Sequence, residues 1–129
     1  MMQISEVLAH KGRVTHSIDA TASLREAASL LLEKNIGAVI CTDRTGGIVG
    51  MLSERDIARA FARLGSDMIT MAVSDAMSRD VIACAGNDSV VDMLEIMTET
   101  RCRHIPVIKE GELLGLVSIG DLVKAQRQP

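Results

Sequence analysis

The 129-residue chain has almost no aromatic side chains: no Trp, no Tyr and one Phe, Phe61. Single-stranded nucleic acids are held largely by stacking bases on aromatic rings, so that mode of binding is excluded. An excess of positive charge is missing too. Fourteen Lys and Arg face seventeen Asp and Glu, a net charge of −3, whereas a nucleic-acid partner usually leaves a basic footprint. No apolar run approaches the ~18 residues that a membrane helix needs. The opening Met1-Met2-Gln3-Ile4-Ser5-Glu6 lacks the basic segment and long apolar stretch of a secretory leader. A cytoplasmic location with no membrane partner is therefore expected. Cys41, Cys84 and Cys102 are odd in number and form no Cys-x-x-Cys. In a cytoplasmic protein they read as small buried residues.

What remains is a globular composition, 47% hydrophobic and 24% charged, in a length that can bury a core. Eight Met residues supply the bulk that aromatics would otherwise give.

The chain then says nearly the same thing twice. Gly50-Met51-Leu52-Ser53-Glu54-Arg55-Asp56 returns as Gly115-Leu116-Val117-Ser118-Ile119-Gly120-Asp121, at an offset of 65 (115 − 50). Such self-similarity marks a duplicated supersecondary unit. The duplication extends outward. Leu24, Ala27, Ala28 and Leu31 recur at the spacing of one helix face, as do Val90, Met93, Leu94 and Met97. Ala38-Val39-Ile40-Cys41 is matched by Ile105-Pro106-Val107-Ile108, and each is followed by a Gly-containing turn and a second apolar run. Each half reads strand, helix, strand, turn, strand, helix, with first strands at His16-Ser17-Ile18 and Val81-Ile82-Ala83-Cys84. Gly65 is a natural stop for the helix ending at Leu64.

Four Ser residues, Ser23, Ser53, Ser89 and Ser118, precede an acid by three positions, which predicts four capping boxes. Those at Ser53 and Ser118 also follow a glycine and an apolar strand. They put a hydroxyl and a carboxylate at a strand end and helix start, where phosphorylated ligands dock in α/β folds. Arg55 lies in the first helical turn, a position that favours a bound anion. The second half adds Arg101, Arg103 and His104, whose counterparts are Asn35, Gly37 and Ala38. Arginine grips phosphate with a two-pronged fork.

These residues resemble a tandem pair of CBS domains, a Bateman module. Both Gly-to-Asp motifs match that family's ligand motif, Arg103-His104-Ile105-Pro106-Val107 its strand before the turn, and Val73-Ser74-Asp75-Ala76-Met77 the short helix that opens a repeat. The resemblance implies an α/β (α+β) fold of two pseudo-symmetric β-α-β-β-α repeats packed as one globular module. Repeat 1 spans 4–65, repeat 2 spans 72–127, and 66–71 connects them. It implies adenine-nucleotide ligands, AMP, ADP, ATP or NAD(H), and in some members S-adenosylmethionine, in clefts between the repeats. Asp56 and Asp121 would hold ribose hydroxyls; Ser53 and Ser118 would meet phosphate. Adenine would lie near His16, Ser17 and Ile36 to Ala38, including Gly37, in one half. In the other it would lie near Ile82, Ala83 and Arg103 to Ile105. Four positions depart from the family pattern: Ala20, Gly86 and Ile40 stand where proline is usual, and Gly120 stands where many members carry a charged residue. The second cleft, with more cations and Pro106, is expected to be the tighter.

The combined expectation is a stand-alone, non-enzymatic regulatory module, with no metal and no required cofactor. Ile57, Phe61, Leu122 and Val123 point to a homodimer, and a separate protein of unknown identity would be regulated. Two rival readings are a thiol-dependent enzyme using Cys102 with His104, and a partner-binding domain without ligand.

Overall fold

The structure, a computed structural model, describes residues 1–12 and 15–127. From the N-terminus the elements are α1 (Ile4–Lys11), β1 (Ser17–Asp19), α2 (Leu24–Lys34), β2 (Ala38–Thr42), β3 (Ile48–Ser53) and α3 (Glu54–Leu64). A 3₁₀ helix (Gly65–Thr70) and α4 (Val73–Ala76) follow. Then come α5 (Val90–Thr100), β4 (His104–Lys109), β5 (Glu112–Ser118) and α6 (Ile119–Gln126). They form two compact units: His16–Val81, and the described residues of 1–15 together with those of 82–129.

In the His16–Val81 unit, α2 starts at Ser23, whose hydroxyl accepts the Glu26 N–H. It buries Leu24, Ala27 and Leu31, the apolar face read from the sequence. It ends at Asn35 in the left-handed conformation, which asparagine tolerates better than most residues. Strand β1 pairs parallel with β2, and β2 antiparallel with β3. Gly65, at φ 60°, ends α3 as expected. The core gathers Leu24, Val39, Cys41, Leu52, Ala60 and Val73 among others.

The other unit repeats this plan with one reduction. Helix α5 buries Val90, Met93 and Met97 and ends at Arg101, again left-handed. Strands β4 and β5 form a hairpin whose Glu110 and Gly111 both have positive φ, the mark of a two-residue type I′ turn. Even the bulge recurs, between Cys41 and Thr42 and between Val107 and Ile108. The strand expected over Val81–Cys84 is not formed. A single parallel bridge, Cys84 to Val107, stands in its place. Cys84 N–H donates to the Pro106 carbonyl, and Ile108 N–H to the Cys84 carbonyl. The next rung would need an N–H from Pro106 to Ile82, and proline has none. Ile40 holds the equivalent place in β2, so β1 can extend.

Each unit is completed by the segment that precedes the other repeat. Helix α1 buries Ile4, Val7 and Leu8 in a cluster with Val90, Met97, Val107, Val117 and Leu122. Backbone bonds fix its entry: Ile4 N–H to Asp88 O, Ser5 N–H to Gly86 O and Val90 N–H to Met2 O. The second segment mirrors this, with Val73 N–H to Ala22 O, Ser74 N–H to Ala20 O and Leu24 N–H to Met71 O. The compact units therefore divide the chain differently from the expected repeat bounds of 4–65 and 72–127. Residues 4–11 join the second repeat, and residues 72–81 join the first. The cause is where their apolar side chains are buried.

Candidate functional site

The two Ser-x-x-Asp motifs sit at matching strand-to-helix junctions. In the first, Ser53 accepts the Asp56 N–H at 3.2 Å while Asp56 Oδ2 accepts the Ser53 N–H at 2.9 Å. In the second, the corresponding distances are 3.1 and 2.8 Å. These are complete, reciprocal capping boxes. At Ser23 and Ser89 the serine accepts the N3 N–H, and the carboxylate does not close the box; four boxes were expected and two form. Both closed boxes use Oδ2. Capping therefore leaves the other carboxylate oxygen, Oδ1, for a further partner.

The expected neighbours converge on these junctions through the backbone. Glu54 N–H donates to Gly37 O, and Ile119 N–H donates to Arg103 O, both at 2.9 Å. Ala38 lies opposite Ser53 in the β2–β3 ladder, and His104 opposite Ser118 in the β4–β5 ladder. Ala38 and Ile105 are buried to 1% and 0% exposure, so they can offer a ligand main-chain atoms and no side chain. Ser17 pairs with Ile40, two residues along β2 from Ala38, and His16 immediately precedes it. Ile82 and Ala83 precede the bridging Cys84.

The cations nearest the two carboxylates are residues not singled out from the sequence. Among the described residues, the one that approaches Asp56 is Arg59, with Nη1 3.9 Å from Oδ1; Arg55 is exposed. The one on Asp121 is Lys11 of α1. Its Nζ lies 2.6 Å from Asp121 Oδ2 and 2.7 Å from the Leu116 carbonyl. Arg101 serves as the left-handed cap of α5, and Arg103 is exposed.

A cleft of ≈ 660 Å³ opens beside this pair, lined by Met2, Glu6, Val7, Ala9, His10, Lys11, Asp121, Lys124 and Ala125. Its volume suits a small-molecule ligand. Of the residues proposed from sequence, Asp121 alone is in that lining; Glu6, His10, Lys11 and Lys124 were missed. A signal existed. Met2-Gln3-Ile4-Ser5-Glu6 parallels Met71-Ala72-Val73-Ser74-Asp75, which makes α1 a repeat-opening helix like α4.

Burial opposes ionisation of Asp121. The hydrogen bond and charge of Lys11, with the bonds from Ser118, outweigh it and hold the carboxyl below its ordinary value. Burial pushes the Cys41 thiol up to about 12 and that of Cys84 to about 11, which makes both inert at neutral pH. Cys102 Sγ donates to the main-chain carbonyl of His104 at 3.0 Å, a bond that uses the thiol proton and does not involve the imidazole. Among the described residues no group of three or more His, Cys, Asp or Glu could hold a metal ion.

With this geometry in hand, the comparisons with known proteins are specific. The CBS domain family model matches residues 12–63 and 73–128. A 17.7 kDa protein of Acidianus ambivalens is 35% identical over 109 residues, 84% of this chain and 65% of its own length, so the chain spans under two thirds of that relative. The crystal structure of a CBS-domain protein from Agrobacterium tumefaciens superposes with a TM-score of 0.94 at 40% identity, covering 96% of this chain and 92% of that one. A CBS-domain protein of Pyrobaculum aerophilum, solved in complex with AMP, superposes with a TM-score of 0.82 at 31% identity, covering 93% of this chain and 89% of that one.

Proposed function

The chain belongs to the CBS-domain family, and on that premise we propose that it is a regulatory module that binds adenine nucleotides and performs no chemistry. The observation that carries this reading is the pair of reciprocal Ser-Asp boxes at equivalent strand-to-helix junctions. Each sets a helix start, which favours an anion such as phosphate, beside a carboxylate oxygen that capping leaves for ribose hydroxyls. The AMP complex of the Pyrobaculum relative supports the adenosine class of ligand. AMP, ADP, ATP and NAD(H) all carry that ribose and phosphate.

Further parts of the proposal are a homodimer, a separate regulated protein and a cytoplasmic setting. Among the described residues no helix is long and apolar enough to cross a membrane. Phe61, Leu64 and Ile69 leave apolar surface on α3 and the 3₁₀ helix, at 54%, 42% and 42% exposure, which supports a self-association face. Leu122, expected to share in that face, is fully buried in its own unit and has no part in it.

A thermal-shift panel tests the reading. A ligand at ~100 times its Kd stabilises by about 2.7 kcal/mol, so AMP, ADP, ATP or NADH at millimolar concentration should raise the melting temperature by several degrees. No shift with any of them sinks it.

A further inference from the structure

Lys11 is held twice. Its Nζ donates to Asp121 Oδ2 at 2.6 Å and to the Leu116 carbonyl at 2.7 Å. An ammonium group has three N–H donors, so one is left for the adjoining cleft. The bond to Leu116 does not depend on the carboxylate. A hydroxyl that competes for Asp121 therefore leaves Lys11 anchored beside it.

Among the described residues the first repeat has no such residue. There the main chain of Met51, the counterpart of Leu116, is bonded in both directions to Ser78 at 2.9 Å. Asp56 faces a mostly exposed Arg59 at 3.9 Å. A bare carboxylate at the sugar end of a site repels a phosphate nearby. Lys11 cancels that charge at Asp121, while Asp56 is compensated weakly. Lys124 and His10 line the same cleft, against Glu6.

We propose that Lys11 is the charge-selecting residue of the Asp121 site, making it prefer a nucleoside phosphate over the uncharged nucleoside. This rests on the nucleotide reading above and names the ligand class for one of its two sites. Selection comes from α1, a helix outside the repeated motif, which explains how two nearly identical motifs can differ in ligand preference.

Calorimetry with AMP and with adenosine tests this, in an Asp56→Ala background so that the Asp121 site is read alone. Circular dichroism and melting first confirm that each variant is folded. Lys11→Met keeps the apolar stem and removes the charge. It should weaken AMP by roughly ten- to a hundredfold, the loss of a charged hydrogen bond, and leave adenosine unchanged or tighter. Lys11→Arg should retain most of the preference for AMP. Equal weakening of both ligands, or no change in either, overturns the proposal. If the Asp56→Ala parent binds neither AMP nor adenosine, the nucleotide reading of the Asp121 site itself fails.

Discussion

A Cβ placed on Gly115 would stand 2.7 Å from Leu8 Cδ2, so the glycine that opens the second motif makes room for α1. The first motif has the same relationship with the other crossing segment. A Cβ on Gly50 would meet Met77 Sδ at 2.6 Å and the Ser78 carbonyl at 2.7 Å. The repeated glycine therefore serves packing, and the Ser and Asp that follow it serve the helix start and the candidate site.

The two glycines should respond unequally to a methyl group. Leu8 meets Gly115 with the end of a side chain, which can rotate away. The Ser78 carbonyl is fixed by its bond to Met51. Overpacking typically costs about 1–3 kcal/mol. Gly115→Ala should fall at the lower end of that range and Gly50→Ala at or above the upper end, as read by urea denaturation. Equal costs would mean that the fixed carbonyl is not what sets the penalty.

Ile4 is fully buried among residues of the second repeat. Ile4→Ala should cost about 2–5 kcal/mol, the range for emptying such a site. Hydrogen exchange should localise the damage. Amides of 82–127 should lose protection while those of 16–81 are spared. Loss confined to 16–81 would place α1 with the wrong repeat.

Much of this is legible in the sequence. The offset of the Gly-to-Asp motif gave both hairpins, the four long helices after α1, and the Ser53 and Ser118 caps, because duplication, turn chemistry and helical spacing all act locally. Two things were not legible. A strand was expected at Val81–Cys84 by analogy with His16–Ile18, although Pro106 already forbade one of its rungs. The cation on Asp121 was not among the residues singled out, because Lys11 lies 110 positions away. Sequence order also does not say which repeat receives Ile4, Val7 and Leu8, the buried residues of α1.

Thiol chemistry separates the three cysteines. Cys41 and Cys84 are buried with raised pKa values, to about 12 and about 11, and Cys102 is partly exposed. An aromatic disulfide reagent at pH 8 should therefore titrate no more than one thiol in the native protein and all three after denaturation. Fast reaction of two native thiols would contradict the packing of β2 or of the Cys84 bridge.

Assembly should depend on Phe61. It is the one aromatic residue and is 54% exposed. Light scattering is expected to give a dimer mass at micromolar concentration, and Phe61→Asp a monomer. Surface substitutions usually change stability by less than about 0.5 kcal/mol, so the monomer should stay folded. Leu122→Ala should do the reverse, lowering stability without changing the mass.

The Lys11–Asp121 pair should also show in acid. Asp121 titrates below the unfolded carboxylate value of about 3.9, with burial opposed and outweighed by Lys11 and Ser118. A carboxyl depressed by folding binds its proton more readily in the unfolded chain. Its stabilising contribution is complete above the unfolded value and is lost as pH falls through the lower, folded one. Removing Lys11 takes away the hydrogen bond and the charge but leaves much of the burial, so the folded pKa must rise. In Lys11→Met, a carboxyl-carbon NMR titration should place the Asp121 midpoint higher than in the wild type, and the acid unfolding limb should begin at higher pH. Asp121→Asn should remove this part of the pH dependence altogether. An Asp121 midpoint unmoved by Lys11→Met would mean that the 2.6 Å contact is not populated in solution.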